Sequence, residues 1–143
     1  MQGGDTVIPA SEALVPMRRI LLFLLTFAFA AAGIAAPLTG TARTEVDGLM
    51  SRLEASACEF NRNGTWYTAA EAKPHLLRKL KYLEDRDLVR SAEQFIERAA
   101  TSSSMTGQPY LVRCGNGAAV PSGTWLLSQL QAIRSAARAP SAP

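Results

Sequence analysis

Residues 20–36 carry no charge, and that block constrains the fold of this chain more than any other feature. Leu21, Leu22, Phe23, Leu24, Leu25, Phe27 and Phe29 crowd its first ten positions, small residues follow, and Met17, Arg18 and Arg19 stand directly before it. A basic start, an apolar helix and a small-residue end are what the export machinery reads, because the arginines stay cytosolic while the helix enters the translocon. The pattern predicts a signal peptide over 17–42. Cleavage is expected after Ala35, with Gly33 three positions back, or after Ala42, with Gly40 three back. Residues 1–16, which include Asp5, Glu12 and two prolines ahead of a complete signal, read as a mis-assigned extension, with Met17 the true start. A retained anchor wants about 20 apolar residues. This run is shorter and alanine-rich at its end, so no stable transmembrane span is expected after cleavage.

The 48% of hydrophobic residues therefore overstates the core, since much of it lies in the leader. What remains is a globular domain over 43–135 with a disordered tail over 136–143, in a periplasmic or secreted setting. The net charge of +3 is small and spread along the chain, which does not make the clustered patch that nucleic acid requires. Cys58 and Cys114 are the only cysteines. In an oxidising compartment an isolated pair is most simply a disulfide; the alternative, a metal-binding or nucleophilic cysteine, lacks Cys-x-x-Cys spacing and has a single histidine to draw on.

Val46, Leu49, Met50, Leu53 and Ala57 recur at helical spacing behind Thr44 as N-cap, with Glu45 and Asp47 in the first turn. Asn63-Gly64 suits the two positive φ angles of a type I′ turn, which predicts a hairpin of 59–62 with 65–67 and places Cys58 at the passage from helix to strand. Thr68-Ala69-Ala70-Glu71 has the form of a capping box, and Leu76, Leu80 and Leu83 continue that helix. Pro74 means that the helix either kinks there or begins later. A second box, Ser91-Ala92-Glu93-Gln94, opens a helix with Ala92, Phe95, Ile96 and Ala99 inward and Leu88 as its staple. A serine-rich loop, a strand over 110–114 and a last helix bearing Trp125, Leu126, Leu130 and Ile133 complete the chain. The sum is an α+β fold, a small single domain of about four helices on a short three-stranded antiparallel sheet with one disulfide.

Several stretches carry a family likeness: Cys58-x-Phe60-x-Arg62-Asn63-Gly64 with Tyr67 and His75-Leu76; Ser91-Ala92-Glu93-Gln94-Phe95-Ile96; Ser103-Ser104-Met105-Thr106-Gly107-Gln108-Pro109-Tyr110; and Pro121-Ser122-Gly123-Thr124-Trp125-Leu126. In order and spacing the chain resembles the YfeK-like bacterial exported family, a domain of unknown function. The resemblance implies a periplasmic setting and a common fold, and no reaction.

His75 is the one histidine, so any general-base role falls on it, with Glu71 at i−4 to orient the ring and Ser103, or its neighbours Ser102 and Ser104, as nucleophile. Nothing in the sequence brings that loop to that helix. Arg62 and Asn63 at the hairpin tip, with Trp66 and Tyr67, form a candidate binding surface, since a rigid turn presents an arginine fork to a carboxylate or phosphate. Turn chemistry and core packing are the plainer accounts of the same residues. Lys73, Arg78, Lys79, Lys81 and Arg86 give one helix a basic side that could meet anionic head groups, though Glu84, Asp85 and Asp87 follow at once. No metal cluster, Gly-rich phosphate loop or carboxylate pair is present in the sequence, so no cofactor and no metal is called for. The leading expectation is a non-enzymatic binding module for an unknown periplasmic protein or envelope component. A small envelope hydrolase using His75 with a loop serine, and an anionic membrane-surface binder, are the alternatives.

Overall fold

The computed structural model describes Gly4, Pro37, Leu38 and residues 40–139; the expectations for the extension, apart from Gly4, and for the leader up to residue 36 lie outside these residues. Four helices and four strands follow one another as α1 (Gly40–Ala55), β1 (Glu59–Arg62), β2 (Thr65–Thr68), α2 (Ala69–Glu84), α3 (Ala92–Phe95), β3 (Leu111–Arg113), β4 (Val120–Pro121) and α4 (Ser122–Arg138). The strands form one antiparallel sheet in the order β2-β1-β3-β4. The fold is α+β as expected, with a fourth strand that the sequence did not disclose. Val120 and Pro121 pair with Val112 and Leu111, and a two-residue strand containing proline has no alternation of its own to read.

The hairpin forms in the expected register, Phe60 opposite Tyr67 and Arg62 opposite Thr65, with Asn63 at φ 52° and Gly64 at φ 86°. Glu59 pairs with Arg113 at the far end of the β1–β3 ladder. The next residues outward are Cys58 and Cys114, and they are bonded. Ala57, at φ 52°, turns the chain from α1 into β1; it stands exposed beyond the helix end and not on the core stripe.

Helix α1 starts at Gly40, earlier than expected, because Leu38 just before it is buried against the core. Thr44 is accordingly not an N-cap; four residues into the helix, its hydroxyl donates to the Gly40 carbonyl. Glu45 lies not in the first turn but at a buried position, where its carboxylate accepts from Arg134 Nε at 2.7 Å and Nη2 at 2.9 Å. Arg134 also reaches Glu93 at 2.6 Å, so one guanidinium ties together α1, α3 and α4.

The capping box at Thr68 and Glu71 is complete, and α2 runs unbroken from Ala69, so Pro74 sits inside the helix and does not delay its start. The box at Ser91 is half formed. Ser91 accepts from the Gln94 amide, but the Gln94 side chain accepts from Arg90 N and not from Ser91 N. The buried residue before that helix is Val89, whereas Leu88 is exposed, which corrects the expected staple. After Phe95 the helix widens into a π turn over Ile96–Ala100, closed where the Thr101 hydroxyl donates to Ile96 O. Helix α4 continues to Arg138, past the expected start of the disordered tail, and residues 140–143 lie outside the described part.

The core gathers Val46, Leu49 and Leu53 of α1, Leu76, Leu80 and Leu83 of α2, Phe95 and Ile96, Leu126 and Leu130 of α4, and Phe60 and Val112 from the inner face of the sheet. Among the described residues no helix is long and apolar enough to cross a membrane.

Candidate functional site

Strand alternation sends Arg62 to the same face as Phe60, toward α2, and the register puts Tyr67 beside them. The capping box sets where α2 begins and hence that His75 and, one turn on, Lys79 rise from its sheet-facing side. The third wall is the loop after the π turn. A bridge between Ser102 and Pro109 closes it, Ser103 N donates to Gln108 O at 2.9 Å, and Thr106 Oγ1 donates across to Asn63 Oδ1 at 2.8 Å. Hairpin, helix and loop thereby enclose a cavity of about 440 Å³ lined by Arg62, Tyr67, His75, Lys79, Ser103 and Ser104, among others.

Arg62, Asn63, Tyr67, His75, Ser103 and Ser104 thus share one site. Trp66 does not: it faces the other side of the sheet, where the Arg113 guanidinium lies 4.3 Å from its ring centroid. Glu71 does not orient His75, because its Oε2 accepts from Thr68 N at 2.8 Å and Thr68 Oγ1 at 2.9 Å. Ser103 is buried and its hydroxyl accepts from the amides of Met105 and Thr106, which is loop chemistry. Lys79, expected on the exposed basic side of the helix, is instead half-buried and donates to Ser102 O at 3.3 Å and Tyr110 Oη at 3.5 Å. Tyr110, just before β3, lines the same cavity. The i,i+4 spacing of His75 and Lys79 was the available signal for the lysine. Of the rest of that basic side, Lys73 pairs with Glu54 at 2.6 Å, Lys81 with Asp85 at 2.9 Å, and Arg86 lies over the Tyr82 ring.

The electrostatics are one-sided. Arg62 Nη1 lies 2.7 Å from His75 Nδ1 and 3.1 Å from Nε2, and since a guanidinium only donates, the imidazole must accept. Burial, then the charges of Arg62, Lys79 and Arg78, push His75 down to about 4. Burial followed by Arg62 holds the Lys79 ammonium below its ordinary value, and burial raises the Tyr110 phenol. Among the described residues neither Arg62 nor Lys79 makes a salt bridge. The Glu71 carboxylate, one turn before His75, is taken by Thr68, whose amide and hydroxyl lower its pKa. Among the described residues no group of three or more His, Cys, Asp or Glu is gathered to hold a metal.

The His75 shift has a measurable consequence. The unfolded chain protonates its histidine near 6.5 and the folded chain near 4, so protons favour unfolding between those values and stability falls as pH drops from about 6.5 to about 4. Full linkage of about 3 kcal/mol is reduced to about 1–2 kcal/mol because the ring remains partly solvated. Urea unfolding across that range should show this slope, and His75→Gln should flatten it. A slope unchanged by the substitution would overturn the assignment to His75, since carboxylates such as Glu71 and Glu93, with lowered pKa values, lose their contribution lower in pH.

A small α+β domain closed by one disulfide, with a cationic cavity between hairpin, helix and loop, is the class these features define. The chain belongs to the family of unknown function DUF5329, whose family model matches residues 40–134. Over 51 residues it is 47% identical to the Uncharacterized protein YfeK of Salmonella typhimurium strain LT2, a match covering 36% of this chain and 41% of that protein. It carries a YfeK-like domain, and no solved structure matches it.

Proposed function

We propose that this protein is an exported, non-enzymatic binding module whose cavity receives the anionic group of its ligand. The observation that carries this reading is the pair of half-buried cations, Arg62 and Lys79, lining one cavity with no carboxylate set against either among the described residues. Partly desolvated cations favour a counter-ion, and a planar guanidinium fork suits a carboxylate or phosphate. The ring nitrogens of His75 are turned to Arg62, and the Ser103 hydroxyl accepts from the amides of its own loop, so the shared cavity lends the hydrolase alternative proximity without a base–nucleophile hydrogen bond. Titration calorimetry with acetate and inorganic phosphate should show saturable 1:1 binding that weakens with salt. Arg62→Ala should lower the affinity by about tenfold, equivalent to about 1.4 kcal/mol. Binding that ignores both salt and Arg62 would dismiss the reading.

Removal of the leader after Ala35 accords with the burial of Leu38 and the start of α1 at Gly40; removal after Ala42 would strip the first and cut into the second. N-terminal sequencing of the exported chain should therefore begin Ala36-Pro37-Leu38. A chain that begins at Arg43 would refute this assignment.

A further inference from the structure

The charged cavity has an apolar neighbour. A second hollow of about 330 Å³, at the lower end of the range for small-molecule sites, is lined by Phe60, Ala72 and Leu76 and shares Arg62, Tyr67 and His75 with the first. The Arg62–His75 contact thus borders both hollows. Ala72, half-buried on α2, leaves that space open because its side chain is only a methyl group. The lining also includes Glu71, whose carboxylate accepts from Thr68, and Arg78, which adds a further cation.

We propose that the ligand is a single-chain amphiphilic anion: a carboxylate or phosphate head on Arg62 and Lys79, with its alkyl chain in the hollow of Phe60, Ala72 and Leu76. This rests on the anion-binding reading above and adds the class of molecule. A bare anion would leave the apolar hollow filled with water, and a neutral chain would leave both cations without a counter-ion. A chain and a head joined in one molecule answer both. Each methylene buried should raise affinity about fourfold, until the hollow is full.

The test is titration calorimetry on the protein in its exported form, with acetate, hexanoate, octanoate and decanoate, decyl phosphate and decanol, all below their micellar concentrations. Affinity should climb along the carboxylates by about fourfold per methylene and then level off. Decanol should bind at least about tenfold more weakly than decanoate. Preference between decanoate and decyl phosphate identifies the head group, and either preference supports the proposal. Ala72→Phe should abolish the gain with chain length and leave acetate binding unchanged. If that variant does not fold, the wild-type series decides alone. A flat series with Arg62-dependent acetate binding overturns the amphiphile and leaves the anion site standing. Decanol matching decanoate, or no binding by any probe, overturns both.

Discussion

Replacing Cys58 and Cys114 together by alanine should lower stability by about 4 kcal/mol, and the melting temperature by roughly 15–30 °C. The bond joins residues 56 apart in sequence, so in the unfolded chain it removes the freedom of a long loop. Its place in the fold adds to the effect. It continues the β1–β3 ladder one residue beyond the Glu59–Arg113 pair, whose side chains also form a salt bridge at 2.6 Å, and that ladder joins the hairpin to the second half of the chain. Thermal melts with and without reductant, alongside the double variant, provide the check. A change below about 1 kcal/mol would mean that the sheet holds its register without the crosslink.

Phe95→Ala should cost about 3–5 kcal/mol, the range for deleting a fully buried aromatic ring. Phe95 is 0% exposed and sits where α3 widens into the π turn, beside buried Ala92, Ile96 and Ala99. The alanines at 92 and 99 have no side-chain length with which to refill the space, so the cavity persists. The π turn also leads into the loop that walls the charged cavity, so this variant should loosen ligand binding as well as stability. Met105→Ala, at a position 96% exposed, is the control and should move stability by no more than about 0.5 kcal/mol. Equal effects at the two positions in denaturant unfolding would contradict the packing described.

The elements legible in the sequence are those whose cause is local. Asn63-Gly64 reports its turn because two adjacent residues supply both positive φ angles. Thr68 and Glu71 report a helix start because each answers the other within four residues. The stripe of Leu76, Leu80 and Leu83 reports a buried face by its spacing alone. Elements that a distant partner decides are not legible in this way. Strand β4 exists only because β3 lies beside it. The first helix gains a turn because Leu38 finds the core, and Glu45 is buried because Arg134, 89 residues away, meets it. The choice of Val89 over Leu88 depends on which of two adjacent side chains the approach to α3 turns inward, and composition does not encode that.

By itself the sequence determined the hairpin, the helix stripes and the pairing of its two cysteines, because these rest on neighbours in the chain or on a count of two. It also held the site's residues in plain view: Arg62, Tyr67, His75 and Ser103 were all candidates. Only the tertiary structure decided that they share one cavity, that Trp66 belongs to the opposite face, and that Lys79 is inside and not on the basic surface. The physical reason is that a cation's role depends on what approaches it through space. Arg62 and Lys79 read as ordinary charges along the chain, and packing brings them to one cavity while the Glu71 carboxylate is held by Thr68.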